Sequence, residues 1–202
     1  MDVTLLKTSE LAFAEMLAES GVELIQYRNK LSSSRHVFET AQGLVRALAP
    51  RGVRLIVNDR PDIARLVEAG GVHIGQEDLN IEDTRAICGP GLWVGVSTHT
   101  LAQVEAADKT SADYIAVGPI CATQTKQDPD PVVGTGFIRQ ARKLTRKPLV
   151  AIGGITLADA EEVFRAGADS IAVARDLICA AAPHSRAREF LQVGADVGSE
   201  VQ

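Results

Sequence analysis

The chain has few aromatic residues, 4% of 202, and only three cysteines, set far apart at Cys88, Cys121 and Cys179. So dispersed and odd-numbered a set of thiols excludes a disulfide framework and a clustered zinc site, and suits a reducing, cytoplasmic setting. Positive charge is not in excess: 21 Lys and Arg stand against 26 Asp and Glu, a net charge of -5, and the basic residues are scattered. That balance argues against a general nucleic-acid partner. No run approaches the ~18 consecutive apolar residues of a membrane span, and the N-terminus lacks a basic-then-apolar signal segment. Apolar residues are plentiful at 46%, enough to bury a core and to exclude wholesale disorder. The length suits one domain over residues 1–202.

Short apolar runs recur at Val22–Tyr27, Arg54–Val57, Gly71–Ile74, Leu92–Val96, Tyr114–Val117, Pro148–Ile152 and Ser170–Val173. They are nearly continuous instead of alternating, the pattern of strands covered on both faces. Stretches rich in Ala, Leu and Glu lie between them, such as 63–69, 101–107 and 158–166. Strands separated by helix-length crossovers predict a parallel sheet. A weak repeat sharpens this. Segments 20–25, 69–74, 111–116 and 167–172 each join a small-residue helix end to a buried strand, at every second strand. Layers contributed by alternate strands belong to the (β/α)8 TIM barrel, which is preferred here to an open doubly wound sheet. Its first strand is short or missing, because only Met1–Leu6 precede a helix expected at about 9–19. Asp2–Leu6 are read as the tail of that strand, the alternative being a sequence that starts late, and Val193–Gln202 as a frayed end.

In such a barrel the chemistry sits where strands end and βα loops begin. Gln26, Arg28 and Lys30 alternate after the first run, so an extended chain points all three to one side. Two cations and an amide there suit a diphosphate, the alternative being a solvated edge. Asp59 and Asp78 end adjacent strands; their mutual repulsion is relieved by a cation, and oxygen ligands plus phosphate suit Mg²⁺. The competing reading of Asp59 is a helix cap before Arg60-Pro61. Gly153-Gly154-Ile155-Thr156 leads into a helix whose backbone N–H groups suit a phosphate. The segment from Cys121 to Gly136 is long and rich in Thr, Asp, Pro and Gly, like a lid able to carry Lys126 onto a bound anion. One diphosphate-like side with metal and one monophosphate-like side suggest the joining of two phosphorylated substrates. His73 reads as a core histidine, His99 as a residue that caps or orients, and Trp93 and Tyr114 as core or wall. With no histidine evident as a base, Cys121 is not read as a nucleophile.

The chain also resembles the thiamine phosphate synthase family from about Gly21 to Leu177. The resemblance is carried by Gln26-Tyr27-Arg28-Asn29-Lys30, Asn58-Asp59-Arg60, His73-Ile74-Gly75-Gln76-Glu77-Asp78, Gly95-Val96-Ser97-Thr98-His99-Thr100, Gly118-Pro119-Ile120 with Thr123-Gln124-Thr125-Lys126, and Ala151-Ile152-Gly153-Gly154-Ile155. It implies a transferase that couples a hydroxymethylpyrimidine diphosphate to a thiazole phosphate, releasing pyrophosphate, with loss of CO2 if the thiazole arrives as its carboxylate. By the same resemblance, Gln26, Arg28, Lys30, Asn58, Ser97 and Lys126 hold the pyrimidine diphosphate, and Tyr27, Asn29 and Gln124 belong to the substrate-binding motifs. Asp59 and Asp78 hold Mg²⁺, while Thr123, Thr125, Gly154, Ala174 and Arg175 take the thiazole phosphate. Arg28, Lys30, Lys126 and Ser97 are the residues expected to act in catalysis.

Two departures stand out: Cys121-Ala122 replace a usual aromatic and proline, and Arg175 a usual serine. The expected partners are these small substrates, with a second copy of the chain left open. Two rivals remain. A related thiazole tautomerase tends to lack the diphosphate and metal residues and carries a histidine where this chain has Pro119. The other is a silent sensor of phosphorylated thiazole.

Overall fold

Each apolar run becomes a strand, and the stretches between become helices. The structure, a computed structural model, describes residues 1–123 and 130–200. It comprises two compact units, Met1–Gly95 and Val96–Gln202.

In the first unit the elements run α1 (Glu10–Glu19), β1 (Leu24–Tyr27), α2 (Ser34–Leu48), β2 (Arg54–Asn58), α3 (Pro61–Leu66), β3 (Gly71–Ile74) and α4 (Ile81–Cys88). Strand β4 (Trp93–Thr98) then carries the chain into the second unit. There follow α5 (Leu101–Asp108), β5 (Tyr114–Val117), α6 (Gly134–Leu144), β6 (Leu149–Ile152), α7 (Leu157–Arg165), β7 (Ser170–Ala172), α8 (Arg175–Ile178) and α9 (Pro183–Glu200). The seven described strands hydrogen-bond in chain order, β1 to β7, and the registered pairs are parallel. Every residue of β3 and β5 is buried, as continuous apolar runs require of strands covered on both faces. The four repeated segments are the joints entering β1, β3, β5 and β7. Sequential parallel strands alternating with helices place the chain in the (β/α) TIM-barrel class.

The helices start where local chemistry satisfies their free N–H groups. Ser9 Oγ accepts from Ala12 N, Asn80 Oδ1 from Asp83 N, and Thr100 forms a capping box with Gln103.

The first strand is short, as expected, but of Asp2–Leu6 only Asp2 pairs, in a lone parallel bridge to Arg28, and Val3–Leu5 coil into a 3-10 turn instead of continuing it. That turn forms because Asp2 Oδ1 accepts from Thr4 N and Thr4 Oγ1, which competes with extension. The end expected to fray is helical through Glu200, and Val197 there is buried. Gly194 lies where α9 packs on α7: a Cβ there would stand 3.3 Å from the Phe164 ring. Trp93, read as core or wall, is 39% exposed at the start of β4, and the Arg54 guanidinium lies over its ring at 3.9 Å. Tyr114 is buried as expected. No helix among the described residues is long and apolar enough to cross a membrane.

Candidate active site

In the first unit Arg28, Lys30, Asp59 and Asp78 follow the C-terminal ends of β1, β2 and β3. Register places Gln26 beside Ile56 and Asn58 beside His73, so neighbouring strands end at similar heights. Lys30 Nζ lies 2.7 Å from Asp59 Oδ2. Asp59 holds a left-handed backbone, φ 62°, pinned by its N–H donating to His73 O at 2.8 Å. Such a conformation is uncommon outside glycine.

The two readings of Asp59 can now be separated. Arg60, not Asp59, is the residue preceding α3, and no side chain caps that helix. Asp78 is not a cap either, since Asn80 caps α4 and Asp78 Oδ2 accepts from Gly75 N at 2.7 Å. The Asp59 carboxyl is held above the usual carboxylate range, first by burial and then by the facing Asp78 carboxylate, with Lys30 pulling the other way. Two carboxylates face each other beside one ammonium. Among the described residues, no group of three or more His, Cys, Asp or Glu side chains forms a metal cluster. A bound divalent ion would therefore draw its other ligands from phosphate oxygens and water, as Mg²⁺ commonly does.

The other members of the Gln26–Lys30 motif divide by role. Arg28 Nη1 sits 2.5 Å from Asp2 Oδ2. Tyr27 is buried, and its hydroxyl accepts from Asn29 Nδ2. Asn29 Oδ1 in turn accepts from Leu31 N and Ser32 N, so the structure shows Asn29 building the turn after β1. His73 is buried in β3, as expected of a core histidine.

In the second unit, Ser97 is buried on β4, next to Thr98, whose hydroxyl donates to Ala116 O. His99 Nδ1 lies 2.6 Å from Gly118 O, which requires the proton on Nδ1, and Nε2 lies 3.3 Å from Asp130 Oδ2. This orienting role matches the reading of His99. The chain beyond is stitched to the end of β6: Ile120 N donates to Ile152 O and Cys121 N to Gly153 O.

Gly153 and Gly154 take φ 88° and 68°. A Cβ on Gly154 would stand 2.3 Å from Ala122 O, so no other residue keeps this loop as it is. Thr156 and Asp159 then form a capping box on α7. Leu157 N donates to Asp176 Oδ2, itself 2.6 Å from Arg186. Ala174 precedes α8, and Arg175 is exposed at its first position. Thr123 is half-buried, whereas Gln124, Thr125 and Lys126 lie outside the described residues. Burial, then the Asp159 and Glu162 carboxylates, push the Cys121 thiol up, which accords with its not being a nucleophile.

Sequence reasoning missed Asp2, because nothing local links it to Arg28 across 26 positions, and the Asp130 contact of His99 for the same reason. Only the sheet topology connects them.

Polar and charged groups at the C-terminal ends of parallel strands, on a chain of this topology, define a (β/α)-barrel enzyme. Residues 2–177 match the thiamine monophosphate synthase family. The chain is 51% identical over 181 residues to the thiamine-phosphate synthase of Koribacter versatilis, covering 90% of this chain and 84% of that one. The solved thiamine phosphate pyrophosphorylase of Pyrococcus furiosus superposes with a TM-score of 0.87 at 30% identity, over 94% of this chain and 91% of that one. A 3-hexulose-6-phosphate synthase shares the fold alone, with a TM-score of 0.70 at 18% identity over 91% and 92% of the two chains. The chain belongs to the thiamine monophosphate synthase family, and with it to the transferases.

Proposed function

We propose that this chain forms thiamine phosphate by displacing pyrophosphate from a hydroxymethylpyrimidine diphosphate with a thiazole phosphate. The observation that carries the reading is the facing Asp59 and Asp78 carboxylates beside Lys30, neither used as a helix cap. These residues fit Mg²⁺, which when bound supplies positive charge to the departing diphosphate. Arg28, Lys30 and Gln26 donate to phosphate oxygens, and Asn58 adds an amide. Ser97 and Lys126 take the same substrate by family likeness.

The exocyclic C–O bond breaks with its electron pair leaving on pyrophosphate. The electron-rich aminopyrimidine tolerates the carbocation left behind, and the thiazole nitrogen lone pair closes the new C–N bond. Thr123, Thr125, Gly154 and the Ala174-Arg175 end hold the thiazole phosphate, and a thiazole carboxylate would lose CO2 after coupling. No protein nucleophile is needed, so catalysis rests on leaving-group electrostatics and alignment. We place this activity in the cytoplasm.

The test is pyrophosphate release from both substrates with Mg²⁺. Release only when both are present supports the reading. Absence of release with retained thiazole-phosphate binding would favour the sensor, and conversion of the thiazole alone the tautomerase.

A further inference from the structure

Asp2 has no part in the roles above, yet it is among the few buried polar residues, at 3% exposure. Its two carboxylate oxygens have separate partners. Oδ1 accepts from Thr4 N at 3.0 Å and Thr4 Oγ1 at 2.6 Å, while Oδ2 receives Arg28 Nη1 at 2.5 Å. The backbone on either side is also tied to β1: Arg28 N donates to Met1 O at 3.0 Å, and Val3 N to Arg28 O at 3.1 Å.

The carboxylate is thus a fixed anchor, and it takes one Nη1 donor of a guanidinium whose side chain is 22% exposed and which carries further N–H donors of the kind that bind phosphate. Charge balance fits: burial alone would raise the Asp2 pKa, but Thr4 and Arg28 hold it below the usual value, so the anchor stays ionised near neutrality.

We infer that Asp2 is a positioning residue for diphosphate recognition, clamping Arg28 in the orientation that receives the substrate's phosphate oxygens. The inference rests on the proposed role of Arg28. An unclamped arginine would lose alignment and a charge-assisted partner, and small misplacements at a reacting site cost rate and affinity steeply.

Asp2→Asn is a sharp probe because it preserves shape. Its oxygen can keep both Thr4 contacts, leaving an NH2 group facing the Arg28 donors, so the clasp becomes donor against donor. The expected result is a KM for the pyrimidine diphosphate raised on the order of tenfold, with KM for the thiazole phosphate unchanged. Titration calorimetry with inorganic pyrophosphate and Mg²⁺ should show a matching loss of affinity. Thr4→Val, which loosens the anchor while keeping its charge, should shift the same two quantities in the same direction by less. In an Arg28→Ala background the Asp2→Asn change should add nothing further.

The inference is overturned if Arg28→Ala weakens pyrophosphate binding while Asp2→Asn and Thr4→Val do not. It is overturned equally if Asp2→Asn raises both KM values together with a fall in melting temperature. Should Arg28→Ala itself leave pyrophosphate binding intact, the Arg28 assignment fails and the inference with it.

Discussion

Replacing Asp59 by Asn separates function from stability at one atom. The amide keeps the side-chain shape but removes a charge that burial and Asp78 already oppose, as the raised Asp59 pKa shows. Lys30 Nζ lies 2.7 Å away, on a side chain 55% exposed, so that pair contributes no more than about 1 kcal/mol. The gain and the loss nearly cancel, and without divalent ions the melting temperature should move by less than about 4 °C in either direction. Activity should behave differently. One of the two carboxylates proposed to hold Mg²⁺ against the departing pyrophosphate is gone, and a comparable electrostatic contribution is worth about 10²–10³ in rate, or roughly 3–4 kcal/mol of barrier. The assay is pyrophosphate release at saturating substrates and Mg²⁺, beside thermal melting in chelator. A rate within about threefold of the parent would refute the reasoning, and so would a loss of activity tracking a large fall in melting temperature.

Other outcomes follow from the same geometry. Gly154→Ala forces a Cβ against Ala122 O from a φ of 68°, so stability should fall by about 1–3 kcal/mol, with KM for the thiazole phosphate rising more than KM for the diphosphate. Denaturant melts and steady-state kinetics read both. Val197→Ala should cost about 1–2 kcal/mol in urea unfolding, because this side chain is buried; a frayed end would give no change. Cys121→Ser should keep near-parental turnover, and thiol alkylation at pH 8 should be slow because burial and nearby carboxylates hold the thiol protonated. Rapid inactivation by alkylation would contradict that.

Much of the fold was legible from the sequence. Gly71–Ile74 and Tyr114–Val117 were read to the residue because four-residue apolar runs between helices have few other solutions. The end of β4 was placed early: Ser97 and Thr98 look like loop residues, yet both are buried, and the Thr98 hydroxyl finds Ala116 O across the sheet. The last part of α9, from Val193, was read as frayed because what holds it, α7, lies some thirty residues earlier in the chain.

The site was legible as a set of residue types at strand ends, but not as geometry. Whether Asp59 caps a helix or confronts Asp78 depends on one backbone angle and one register. Pattern does not encode either. Asp2 carries no motif, and its bond to Arg28 comes only from the bridge that lays it beside the residue following β1.

The most direct measurement is calorimetric titration of pyrophosphate onto the protein with and without Mg²⁺, repeated with Asp59 and Asp78 both changed to Asn. The account predicts tight pyrophosphate binding only when Mg²⁺ is present, and loss of that Mg²⁺ requirement together with most of the affinity in the double variant. Binding of equal strength without Mg²⁺, unaltered by removal of both carboxylates, would contradict it.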